Sequence, residues 1–183
     1  MSDHPAVEHP LSENEAANPD AQQTVVLGLG NAIMGDDGAG LVALEALRAL
    51  QFSPEVRFVY GGVWGLALLA DVESAGSLLL LDAVHAGAQP GAVVVLEGEA
   101  IPRFLSMKIS PHQVDVRELL ALATLRGALP QRMALVGVQI AQADLSTDLS
   151  PEVLAAIPAM RERALDLLAE WGHVLVGARP NPG

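Results

Sequence analysis

The stretch Thr24 to Gly40, TVVLGLGNAIMGDDGAG, decides the fold class. Thr24 to Leu29 is an almost wholly apolar run and reads as a buried strand, and Gly28 and Gly30 let the backbone turn sharply where it ends. A helical pattern follows from Gly38 to Leu50, with Leu41, Leu44 and Leu47 on one face. Asp36 and Asp37 lie between the two, where the exposed amides that open a helix favour negative charge. One carboxylate suffices as a cap. Asp36 is assigned that local role, at an expected cost of about 1 kcal/mol or less for Asp36→Asn, and Asp37 is left to act on something outside the chain.

Working outward, the same alternation continues. Val56 to Tyr60, Ser77 to Leu81, Ala92 to Leu96 and Met133 to Val138 read as strands, and Trp64 to Val72, Val114 to Thr124 and Pro151 to Trp171 as helices. Leu78 to Leu81 is apolar without alternation, the pattern of a strand buried on both faces. Ser150 followed by Pro151 makes a strong start to the last helix. Strands alternating with helices imply an α/β fold: a three-layer sandwich around a mostly parallel, twisted five-stranded sheet, in a single domain with right-handed crossovers. The domain is placed at residues 24–176, with an acidic, disordered tail at 1–23 and a flexible tail at 177–183.

Composition agrees and excludes several functions. The 183 residues are 51% hydrophobic but only 3% aromatic, so the core is aliphatic. A formal net charge of −12 opposes binding to nucleic acid or to anionic lipid. With no cysteine, disulfides, thiolate metal sites and a cysteine nucleophile are impossible. Residues 1–23 lack lysine, arginine and any apolar core of a secretory signal, and no stretch is long enough to span a membrane, so a cytoplasmic location is expected.

Ligands of such sheets bind beyond the carboxyl ends of the strands. Asp37 follows the first strand, Asp82 ends the four-leucine run, and His112 lies in the loop Ser110-Pro111-His112-Gln113 before a helix. Each alone has an ordinary explanation: a helix cap, an acceptor for loop amides, an inert loop residue. Together they form an open two-carboxylate, one-imidazole set suited to a borderline divalent ion such as nickel or zinc. Asp36, His85 and Asp115 lie close enough in sequence to stand in for one of the three, although Asp115 is also explained as a dipole partner in a first helical turn. His173 is expected to be solvent exposed.

The segments GLGNAIMGDDGAG (28–40), LLLLDAVHAGAQPG (78–91) and KISPHQ (108–113), taken in order, resemble the hydrogenase maturation endopeptidases. The resemblance runs from about Val25 to the helix near Trp171. It implies an aspartyl-endopeptidase-like hydrolase that removes a C-terminal extension from the precursor of a nickel-iron hydrogenase large subunit once nickel has been inserted. It places the family's metal-contacting and catalytic side chains on Asp37, Asp82 and His112, with Asn31, Gly61 and Gly62 as substrate contacts. The metal is then nickel supplied by the substrate, for which other divalent ions can substitute. Tyr60-Gly61-Gly62-Val63 departs from the family's frequent Asp-Gly-Gly-Thr: the glycines are kept and the flanking side chains are not.

Two other classes compete. A nucleotide-binding enzyme would also use a glycine turn between strand and helix, but Ile33 occupies a required glycine position and two aspartates would repel a pyrophosphate. A nickel carrier without hydrolytic activity would use the same ligands. No Gly-x-Ser-x-Gly elbow or His-Glu-x-x-His is present, which favours metal arriving with the substrate.

Overall fold

The computed structural model describes residues 23–63, 65–106 and 111–179, with backbone alone for 105, 106 and 111–115. Thr24–Leu29 forms β1, buried at every position. It lies between β3 (Val56–Gly62) and β4 (Ser77–Val84), both parallel to it, and β4 in turn pairs in parallel with β6 (Arg132–Gln139). β5 (Val93–Glu97) closes the far edge antiparallel to β6, so the order is β3-β1-β4-β6-β5. The expected five-stranded, mostly parallel sheet is therefore present.

The four-leucine run explains the layering. Leu79 and Leu81 join one core cluster with Leu44 and Leu47 of α1 (Ala39–Arg48) and Met160 and Leu168 of α5 (Pro151–Glu170). Leu78 and Leu80 join a second cluster with Val72 of α2 (Leu69–Glu73), Ile101 of α3 (Ala100–Ser106), and Leu119 of α4 (Pro111–Leu125). Both faces of β4 are covered, so neither tolerates the polar alternation of a half-exposed strand.

Several elements depart from the sequence reading. The first helix stops at Arg48, and Leu50–Ser53 forms β2 instead, paired antiparallel with β7 (Val174–Ala178) in a separate two-stranded sheet. β7 carries the domain to Ala178, two residues into the segment assigned to the C-terminal tail. The expected helix at 64–72 is a 3-10 turn, Gly65–Leu68, followed by α2, and Trp64 is outside the described residues. α3 had no counterpart in the reading, because seven residues containing Pro102 show no usable period. The acidic tail lies outside the described residues up to residue 22.

His173 is also corrected: it is buried, with Nδ1 2.8 Å from the Pro54 carbonyl oxygen and Nε2 2.7 Å from the Thr24 hydroxyl. It ties the chain leaving α5 to the start of β1, a contact between residues 149 apart that no local pattern announces.

The glycines after β1 are demanded by packing. A methyl group at Gly40 would sit 2.3 Å from the Leu81 carbonyl oxygen and 2.5 Å from that of Leu29. Helix α1 thus begins directly against the end of β1 and the middle of β4, closer than any side chain allows. Gly40→Ala is expected to lower stability by about 2–4 kcal/mol, read as a fall in the urea midpoint at unchanged m-value.

Candidate active site

The β1–β4 register pairs Gly28 with Leu81, which sets Asp82 level with the residue where β1 ends. Asp82 is not beyond its strand as expected: β4 continues to Val84, and Asp82 lies inside it, fully buried and paired in register with Gly137 of β6. Its Oδ1 accepts a hydrogen bond from the Ala83 amide at 2.8 Å. An acidic side chain in the central strand of an aliphatic core is costly unless polar partners hold it.

Asp37 reaches the same rim from the other direction. It belongs to a 3-10 turn, Gly35–Gly38, that packs against β4 and leads into α1. Asp37 is partly exposed, and its Oδ2 accepts the Asn31 amide at 2.8 Å. Asn31 Oδ1 in turn accepts the Ile33 amide at 3.2 Å, so Asn31 shapes the turn as well as facing the rim. Gly30 has φ of +116°, and a Cβ there would fall 1.8 Å from the Asp37 carbonyl oxygen. Gly62 accepts the Gly30 amide at 3.1 Å, and Gly61 and Gly62, both buried, end β3 beside this turn.

His112 lies in the first turn of α4, not in a loop before it: Pro111 starts the helix, as proline commonly does. α4 leads back to Arg132 and Ser77 at the opposite end of the sheet, so its first turn is on the side of the strands' carboxyl ends. The side chains of His112 and Asp115 are outside the described residues, and His85 is exposed. Among the described residues, no three histidine, aspartate or glutamate side chains are gathered as a metal site.

Asp36 has a role the sequence reading missed. It is fully buried, and its Oδ1 accepts the Ser150 amide at 2.6 Å. Its Oδ2 accepts the Ala141 amide at 2.9 Å, the Gln142 amide at 3.0 Å and the Ser150 hydroxyl at 2.9 Å. Ser150 also caps α5, accepting the Val153 amide. Asp36 is therefore a long-range anchor and not a local cap. Burial works to raise its pKa, and the four hydrogen bonds outweigh burial and hold it below the usual carboxylate value. Gln139 is a second unanticipated organiser: its Oε1 accepts the Ala86 and Ala88 amides at 2.7 and 3.3 Å, shaping the loop that follows β4.

The HycI family of hydrogenase maturation proteases matches residues 42–167. The chain belongs to this family. Hydrogenase expression/formation protein HoxM of Cupriavidus necator is 39% identical over 155 residues, covering 83% of this chain and 77% of that protein. The hydrogenase 2 maturation protease of Escherichia coli is 33% identical over 150 residues, covering 81% and 92%. Among solved structures, the hydrogenase maturating endopeptidase HybD from E. coli superposes with a TM-score of 0.81 at 30% identity, covering 85% of this chain and 98% of that one. The protease is accordingly a peptide-bond hydrolase with a HybD-like fold, which sets aside the nucleotide-binding reading. No helix among its described residues is long and apolar enough to cross a membrane.

In the protease, Asp36→Asn would turn an amide NH2 toward amide and hydroxyl donors, so a loss of about 2–4 kcal/mol is expected, more than the local-cap estimate. Because the folded-state pKa is depressed, Asp36 stabilises the fold above the ordinary carboxylate pKa of about 3.9, and that contribution is lost as pH falls through its lowered value. Unfolding titrations from pH 7 downward should therefore show a shallower acid limb for Asp36→Asn than for the wild type.

Proposed function

We propose that the protein is an endopeptidase that removes a C-terminal extension from the nickel-loaded precursor of a nickel-iron hydrogenase large subunit. In this reading Asp37, Asp82 and His112 contact the substrate's nickel, so that only a metallated precursor seats correctly. The observation that carries it is that Asp37, in the turn after β1, and Asp82, in the neighbouring β4 against which that turn packs, lie at the same end of the sheet, one partly exposed and one buried. Family membership supplies the reaction class, and two oxygen donors of unequal exposure suit a cation delivered from outside.

Nickel close to the scissile amide polarises its carbonyl or lowers the pKa of a bound water, and either carboxylate can accept the proton that water gives up on attack. The C–N bond then breaks, and the leaving amine takes a proton as the new carboxylate forms. In this reading Asn31, in the turn after β1, and Gly61 and Gly62, at the end of β3, are the substrate contacts, since glycine carries no side chain to keep a substrate backbone away.

Asp82→Asn and His112→Ala are each expected to lower trimming of nickel-loaded precursor by about a hundredfold or more while thermal midpoints stay within about 4 °C of wild type. Precursor length is followed by gel and mass spectrometry. Normal trimming by Asp82→Asn would overturn the site, and equal trimming of nickel-free precursor would overturn the role of the metal.

A further inference from the structure

Beside the proposed reaction centre lies an apolar groove that the catalytic argument does not use. It has a volume of about 320 Å³ and is lined by Leu41, Val42 and Glu45 of α1, Tyr60 of β3, and Thr147 and Leu149 of the loop before α5. Gly35 and Gly38, which flank the Asp36–Asp37 pair, also line it. Val42 is 41% and Tyr60 50% exposed, both high for large apolar surfaces that face a common hollow. Ile33 and Leu145, exposed at 55% and 81%, extend the apolar surface along the same two loops, which are zipped together by Ser146 N–H to Ile33 carbonyl at 3.1 Å and Gly35 N–H to Ser146 carbonyl at 2.7 Å.

The charge bordering this groove is mainly negative. Between Gly28 and Leu47, and again between Met133 and Met160, the chain has no lysine or arginine, while Glu45, Asp144 and Asp148 stand on the bordering segments. Arg48 pairs with Glu45 from the solvent side at 2.7 Å, but both side chains are about half exposed, and such a pair is easily exchanged for another cation.

We propose that this groove is the docking surface for the precursor: it seats a large apolar side chain of the substrate segment that runs past Asp37, with cationic residues of the precursor meeting Glu45, Asp144 and Asp148. The inference rests on the peptidase reading above, since the occupant is the precursor. Continuity with Asp37 selects a substrate segment over a remote ligand, and the acidic border selects a cationic flank. The groove contributes binding energy and selection, and takes no part in bond breaking.

Val42→Glu, Tyr60→Ala and the double variant Asp144→Lys/Asp148→Lys test it, with nickel-loaded precursor as the probe at low and high salt. Val42→Glu and Tyr60→Ala are expected to raise KM about tenfold with kcat within about twofold of wild type. The double charge reversal is expected to raise KM at low salt and to flatten its salt dependence. Calorimetric titration reads binding separately from cleavage, so wild-type chain that binds precursor without shortening it would sink the peptidase reading and leave the groove assigned. Unchanged KM and unchanged binding in both Val42→Glu and Tyr60→Ala, with native circular dichroism, would overturn the groove. Self-association of the wild-type chain that Val42→Glu abolishes would also overturn it, showing a second copy as the occupant.

Discussion

The buried carboxylate of Asp36 is the constraint on which the rim depends. Its two oxygens take four hydrogen bonds from residues more than a hundred positions away, at Ala141, Gln142 and Ser150. A charge removed from water is tolerable only when its lone pairs are filled, and here the donors come almost entirely from one loop. The turn that carries Asp37 is thereby locked to the segment that starts α5, and Ser150 serves both ends by capping the helix while holding Asp36. Mobility in the loop would translate directly into misplacement of Asp37.

Three acidic residues at one end of the sheet divide their tasks by environment. Asp36 is satisfied by the protein and has nothing left to offer a substrate. Asp82 is equally buried but sits in β4, opposite Gly137 of β6, and accepts the Ala83 amide. Asp37 is partly open and held by the Asn31 amide. The adjacent pair at 36 and 37 is therefore held differently: Asp36 turns inward to the segment that starts α5, and Asp37 accepts the Asn31 amide in the turn after β1.

The close contact of α1 with the strands makes this arrangement compact. Gly40 lets the helix start against the Leu29 and Leu81 carbonyls, and Gly30 lets the turn pass within contact of Asp37. Backbone packed this closely fixes where the two carboxylates stand, and preorganisation of that kind is what the proposed site would need. The groove beside α1 adjoins the same construction, since Gly35 and Gly38 of the turn are among the residues that line it.

Much of the fold was legible in the residues alone. β1, β4 and β6 are continuous apolar runs and α5 has a strong cap and a long period, so their type follows from burial and spacing. Asp37 and Asp82 could be singled out because charge at the end of an apolar run is expensive and has few ordinary reasons. The pairing of β2 with β7, the burial of His173, and the anchoring role of Asp36 were decided only by tertiary structure. Each depends on a partner more than a hundred positions distant, and a hydrogen bond between distant residues leaves no periodicity in either segment. Local pattern thus determined which elements exist, where acid stands beside apolar chain and which of the two adjacent aspartates to favour, while what Asp36 does in place of capping belonged to the folded molecule, because only packing brings its donors from more than a hundred positions away.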